Sequence, residues 1–291
     1  MLILTREYDI SKKVVGKMKK IKDYLLIKQF RYGLILLCII LIIAILAPIL
    51  SPYNPYELGD KLFESPGKEH LLGTDSLGRD VLSMIIYGTR ISLLVGVTAA
   101  LISAVVGTLI GAVAGYYGGK IDKVMSAVID IFLMIPSFFL ILIIVAVLGC
   151  NILNMMIVIG LTSWTGNARV MRAQALSLRE RTFVKGAVAV GEAHRSILFR
   201  HIIPNGIFPI IANTTMGVAT AIITEAGLSF LGLGDPNIIS WGQMILAGRA
   251  SLTSAWWVST FAGIAIVITV MAFYLIGDGI NIIINPKLSK K

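Results

Sequence analysis

Three observations predict an all-α, polytopic membrane protein. Hydrophobic residues make up 56% of the 291-residue chain and charged residues 14%, against about 45–50% and about 25% in soluble domains. The apolar residues fall into long runs, each near the roughly 20 residues that a helix rising about 1.5 Å per residue needs to cross hydrocarbon. Lysine and arginine gather in some of the gaps between those runs and thin out in others.

Six spans are read, at 33–50, 91–115, 124–149, 152–168, 206–231 and 257–283. The first follows a basic tail, 1–32, as a secretory signal would. It begins too far into the chain for a signal, however, and enters Pro48 and "SPYNPYE" without a small-residue cleavage site, so it reads as an uncleaved anchor. The segment 51–90 reads as extracytoplasmic, 91–283 as the membrane core and 284–291 as a second tail. Span two places Gly107, Gly111 and Gly115 on one helix face. Such a face admits another helix at close range. We read it as unpaired within the chain, one reason to expect partner subunits. Pro136 should kink span three, as a hinge or only a shape.

Charge orients the spans. The tail before span one holds Arg6, Lys12, Lys13, Lys17, Lys19, Lys20, Lys22, Lys28 and Arg31. The gap between spans four and five holds Arg169, Arg172, Arg179, Arg181, Lys185, Arg195 and Arg200, and the end holds Lys287, Lys290 and Lys291. Between spans one and two, six acids (Glu57, Asp60, Glu64, Glu69, Asp75, Asp80) face four bases (Lys61, Lys68, Arg79, Arg90). Both termini are therefore expected in the cytoplasm. The net charge of +10 is a topology signal, and a nucleic-acid partner is excluded.

The largest expected cytoplasmic loop, about 182–205, carries two histidines among its charges. Thr182–Ala189 suits a short helix, Gly191 a turn, and Ala193–Ile202 a second helix with Ile197, Leu198 and Ile202 near one face. Such a loop fits a docking knob and equally an interfacial amphipathic segment.

No constellation in the chain supports catalysis or a metal. His70, His194 and His201 have no ligand spacing with Cys, Asp or Glu, and Cys38 and Cys150 imply no disulfide framework. "GYYGGKID" fails as a phosphate loop, because Ala114 replaces its first glycine and Ile121 its Ser/Thr. Asp130, Glu225 and Asp278 lie in or at the ends of spans, where a charge costs at least a few kcal/mol. Their spread favours structural pairing over an ion site. A proton- or ion-driven secondary transporter would need such groups converging at mid-membrane. A channel would need a filter.

"FVKGAVAVGEAHRSILFRHIIPN" (Phe183–Asn205) resembles the cytoplasmic coupling motif of ABC-importer permeases: E-A-A, three residues, G, nine residues, I-x-L-P. Gly191 and Pro204 hold the glycine and proline positions at the family's spacing. Lys185 and Gly186 replace the glutamate and first alanine, and Ala187 remains. His201 and Ile203 replace the isoleucine and leucine. "HLLGTDSLGRDVLSMIIYGTRISLLVG" (His70–Gly96), "EAGLSFLGLGDPNIISWGQMI" (Glu225–Ile245) and "GDGINIIINPKL" (Gly277–Leu288) are similar to the C-type transmembrane subunit of the dipeptide/oligopeptide/nickel group.

The resemblance implies a type I ABC-importer permease fold in a bacterial or archaeal cell membrane. It implies half of a translocation pathway for short peptides or nickel and metal-chelate substrates. The partners implied are a homologous second permease, two ATP-binding subunits and an extracytoplasmic substrate-binding protein, with membrane lipid around them. ATP and Mg would be bound by the ATPases, and this chain would hold no cofactor and catalyse nothing. The coupling loop would comprise Lys185, Gly186, Ala187, Gly191, Glu192, Ala193, Ile203 and Pro204, while the substrate-binding residues stay unassigned.

Overall fold

The structure, a computed structural model, describes Leu25 and residues 27–284. Most of the basic first tail and most of the last tail lie outside the described residues. Helices dominate what is described, and no strand longer than the single bridge between Thr74 and Asp80 occurs among those residues.

Helix α1, Lys28–Ile45, ends where Pro48 approaches, and the chain resumes as the short α2, Ala47–Leu50. A proline cannot donate into the ladder of a continuing helix, so the expected span 33–50 is two pieces. Only Gly33, Ile40 and Ala44 of α1 are buried, with Gly33 against the backbone of Ala272 and Ile276. Leu36 and Leu37 pack half-buried against the main core, and Tyr32, Ile35, Ile39, Leu41 and Ile42 face outward, as one side of an anchor in lipid would.

Residues 51–80 fold into a compact cap. The buried Asp75 accepts from the Leu77 and Arg79 amides and from Arg79 Nε, at 2.9, 2.9 and 2.8 Å. Asp80 joins His70 Nδ1 at 2.9 Å through one oxygen and caps the next helix through the other, which accepts from Ser83 N at 2.8 Å. That cap starts helix α3, Val81–Tyr117, ten residues before the expected start of span two. Its 37 residues span about 55 Å at 1.5 Å each, well beyond the roughly 30 Å of hydrocarbon. The extra turns carry the cap.

Helices α4 (Gly119–Met134) and α5 (Ser137–Leu148) meet at an 82° bend at Ile135 and Pro136. The expected kink is thus a sharp corner. Helix α6, Ile152–Thr162, stops at Ser163, and α7, Trp164–Arg179, follows at once. The fourth expected span, 152–168, is thus two helices that meet at Ser163. Eleven residues of α6 cover only about 16 Å, and α7 adds a largely polar face. Four described helices are long and apolar enough to cross a membrane alone: α1, α3, the run His194–Phe230, and α12, Trp256–Ile284. The bent α4–α5 pair makes a fifth, where six were expected.

The glycine face of α3 is filled from within the chain. A Cβ at Gly107 would sit 2.5 Å from the Trp164 carbonyl oxygen and one at Gly115 would sit 2.5 Å from that of Arg172. One at Gly111 would collide with the Ala168 carbonyl. The partner helix is α7, so the expectation of an unpaired face is wrong. Bidentate bonds from Arg172 to Asp122, at 2.5 and 2.8 Å, then tie α7 to α4, and Arg169 reaches Asp130 at 2.9 Å. Asp278, by contrast, is exposed and has no ion pair among the described residues, so the pairing expected of it is absent there.

Beyond α7 come α8 (Thr182–Ala189), α9 (His194–Ile197), a π turn over Leu198–Ile202 and α10 (Ile203–Phe230). Helix α11, Trp241–Gly248, packs against α10. Its cap residue Ser240 donates to Glu225 Oε1 at 2.7 Å, and Ser229 donates to the same oxygen at 2.8 Å. Glu225 is therefore held structurally, at the joint between α10 and α11.

Because the atoms facing Gly111 are backbone, they cannot rotate away, and overpacking typically costs about 1–3 kcal/mol. Gly111→Leu should lower the thermal melting temperature of the detergent-purified protein by several degrees. Gly263→Leu, which points into open space, should leave it unchanged.

Candidate coupling loop

The loop is built from α7 downward. Val184 is the one buried residue of α8, and it packs with Tyr116, Met171, Ala175, Ile197, Leu198 and Ile202 in a single apolar cluster. The face marked by Ile197, Leu198 and Ile202 thus points into the protein and anchors the loop on α3 and α7. The opposite face carries Phe183, Val188, Val190 and Phe199, all exposed. Apolar side chains held outward beside Lys185, Arg195 and Arg200 make a mixed, protruding surface.

Helix α8 ends in a hydrogen-bonded reversal. Gly191 N donates to Val188 O and Glu192 N to Ala187 O, each at 3.0 Å, the pairing that closes a helix on a left-handed residue. Gly191 supplies that residue at φ 80°. Nothing lies within 4 Å of where its Cβ would be, so glycine is required by backbone geometry and not by crowding.

Glu192 then fastens the second half of the loop. Ser196 Oγ donates to Oε1 at 2.6 Å, and His201 Nε2 lies 3.0 Å from Oε2. The Ser196 hydroxyl, and after it His201 and Arg200, hold this carboxyl below its ordinary value. Tyr116 Oη and His194 Nδ1 are 2.8 Å apart, pinning α9 to the end of α3. Lys185, at the departed glutamate position, pairs with Glu180 at 3.0 Å. Gly186 and Ala187 lie on α8, and Ala193 is the residue before α9.

Ile203 and Pro204 open α10, but no break separates them from the loop. The run His194–Phe230 is continuous, 37 residues long, with the π turn in place of an end. Half of the loop is therefore the N-terminal end of a helix long and apolar enough to cross a membrane.

Residues 107–290 match the family described as binding-protein-dependent transport system inner membrane component. The chain belongs to that family. Residues 28–66 of the permease also match the N-terminal transmembrane domain of oligopeptide transport permease C. It is 40% identical over 259 residues to the dipeptide transport system permease protein DppC of Alkalihalophilus pseudofirmus, covering 88% of this chain and 85% of that one. It is 39% identical over 253 residues to the glutathione transport system permease protein GsiD of Escherichia coli O6:K15:H31, covering 86% and 84%. A putative peptide transport system permease protein of Brucella suis is 39% identical over 263 residues, covering 90% and 88%. The inward-facing MetNI methionine ABC transporter shares the fold, with a TM-score of 0.56 at 18% identity over 69% of this chain and 94% of that chain. The permease is thus an integral inner-membrane subunit of a binding-protein-dependent ABC importer, with the type I fold.

Sequence reasoning missed the Glu192–Ser196–His201 tie and the Asp122–Arg172 pair. The first had a signal, since Glu192 and Ser196 stand four apart and could share a helix face. The second joins residues fifty apart and had none.

A carboxyl lowered in the folded state adds stability above its ordinary pKa and loses it as pH falls through the lowered value. Amide hydrogen exchange at 193–197, corrected for intrinsic rate, should therefore speed up as pH falls from 7 into the acid range. Glu192→Gln should flatten that dependence.

Proposed function

We propose that the permease forms half of a pathway for short peptides and passes the work of ATP hydrolysis to it through the loop 182–205. The observation that carries this reading is the fusion of an exposed knob to α10 without a break. A surface helix with no partner has no use for rigid attachment to a span. A docking element does, because displacement at one end then reaches the membrane.

Peptide substrates are supported by the relatives, whose names specify dipeptides, peptides and glutathione. Nickel and metal chelates have no such support among them. The second permease would complete the pathway, a binding protein would deliver substrate outside, and two ATP-binding subunits would hold ATP and Mg inside. Both termini are then cytoplasmic, in keeping with the lysine and arginine distribution. In this reading Lys185, Gly186, Ala187, Gly191, Glu192 and Ala193 form the docking surface, and Ile203 and Pro204 the joint with α10. The departure at Lys185, already satisfied by Glu180, makes that position a weak contributor.

Left-handed backbone costs an L-residue roughly 1–2 kcal/mol. In the assembled transporter Gly191→Trp should cut substrate-stimulated ATP hydrolysis and uptake together, by roughly tenfold on that cost. Gly191→Asn should cut them less, since asparagine tolerates this region, and Lys185→Ala should do little. Cysteines at Glu192 or Ala193 should crosslink to an ATPase subunit more efficiently in one nucleotide state than another. Normal transport by Gly191→Trp with no crosslink would reduce the loop to a surface helix.

A further inference from the structure

Helices α6 and α7 break at Ser163 beside a cavity of about 190 Å³. Its lining comes from α3, the break and α10, and contains no ionisable side chain: Ser103, Ser163, Asn167, Asn213, Thr214 and Thr220 are its hydroxyl and amide groups, among small and apolar residues. A polar notch with no charge, set between apolar helices, invites a ligand that is itself neutral and hydrogen-bonding.

The polar groups form a directed chain. Asn213 Nδ2 donates to Asn167 Oδ1 at 2.9 Å, Asn167 Nδ2 to Ser103 Oγ at 3.1 Å, and Ser103 Oγ to the Ser163 carbonyl at 3.0 Å. Every donor in the chain points the same way, so each bond polarises the next. The acceptor left over is Asn213 Oδ1, which no donor meets among the described residues. Thr214 is unsatisfied too. Thr215, Thr220 and Thr224 each return their hydroxyl to the carbonyl four residues back, the usual solution within a helix. Thr214 Oγ1 is buried with no partner among the described residues. Among the residues lining the notch, Asn213 Oδ1 and the Thr214 hydroxyl both lack a partner, and the hydroxyl reaches the cavity only when its side chain turns.

We infer that this notch, at Asn213 and Thr214 beside the Ser163 break, is a transit site for a stretch of the translocated substrate's backbone. One backbone N–H donates to Asn213 Oδ1, and the carbonyl of a neighbouring amide, facing the other way, accepts from the Thr214 hydroxyl once that side chain turns into the cavity. A site of this kind reads the bond that all peptides share and ignores the charge of their side chains. It opens along α10 at the exposed Thr220, on the helix that carries the loop. The inference rests on the peptide reading above and deepens it.

The test uses the whole transporter, with second permease, ATPases and binding protein, in proteoliposomes and with trialanine as probe. Cys38 and Cys150 are first replaced by serine. In the Thr220→Cys variant, a membrane-impermeant thiol reagent should label the cysteine, and trialanine with ATP and binding protein should slow labelling at least about fivefold. Separately, Thr214→Val, which keeps shape and loses the hydroxyl, should lower trialanine import several-fold, while Thr214→Ser should restore it. A packing role predicts the reverse order, with valine tolerated and serine harmful. Labelling that trialanine leaves unchanged, or tolerance of Thr214→Val, in vesicles that import trialanine would overturn the notch and leave the peptide reading intact. A spontaneous crosslink from Thr220→Cys to the second permease would make the face a subunit contact and overturn it equally. If the unsubstituted transporter imports no peptide, the peptide reading itself fails, and the notch with it.

Discussion

Close contact between α3 and α7 is the constraint on which the other parts depend. In lipid, helices gain nothing from hiding apolar surface from one another, so association rests on packing and hydrogen bonds. The glycines at 107, 111 and 115 let α7 lie with its carbonyl groups where Cβ atoms would otherwise be. That approach fixes the Ser163 break against Ser103 at one end of α7. At the other end it brings Arg179 within 3.4 Å of the Gly115 carbonyl and delivers the chain to the loop. One helix contact thereby sets both the polar notch and the base of the exposed loop 182–205.

The same contact bears on the difference between the six apolar segments of the sequence and the four or five candidate spans among the described residues. Trp164–Arg179 is pulled alongside α3 by backbone proximity and by ion pairs to α4, and apolar matching to lipid plays little part. Its polar face is consumed by Asp122, Asp130 and the amide chain. Four of the arginines that orient the chain from sequence lie on or just beyond this helix, and two of them are also fasteners between α7 and α4. A count of basic residues reads their sign correctly and misses their pairing.

Legibility followed the range of the interactions. The spans at 206–231 and 257–283, the short helix 182–189 and the corner at Pro136 were readable, because hydropathy, period and proline act locally. The early start of α3 was partly written in Asp80 and Ser83, a cap and its third residue, but weak hydropathy over 81–90 concealed it. The Asp75–Arg79 knot within the cap had spacing to suggest it and no partner pattern to confirm it. The glycine repeat announced a close contact without naming the helix that makes it. Of the loop, the turn at Gly191 was legible; the uninterrupted passage into α10 was not. Pro204 reads as a boundary from sequence, yet it lies inside the continuous run from His194, directly after a π turn whose altered bonding pattern accommodates the missing N–H.

Mechanical unity of the loop and α10 is the central claim, and pulsed electron–electron distance measurement tests it most directly. Spin labels at Arg195 on α9 and Ile223 on α10, both exposed, would be placed in the assembled transporter without native cysteines. The account predicts one narrow distance distribution that is the same without nucleotide and with ATP bound. A shift of several ångströms between those states, or a broad distribution in either, would show that the chain hinges at the π turn and would contradict it.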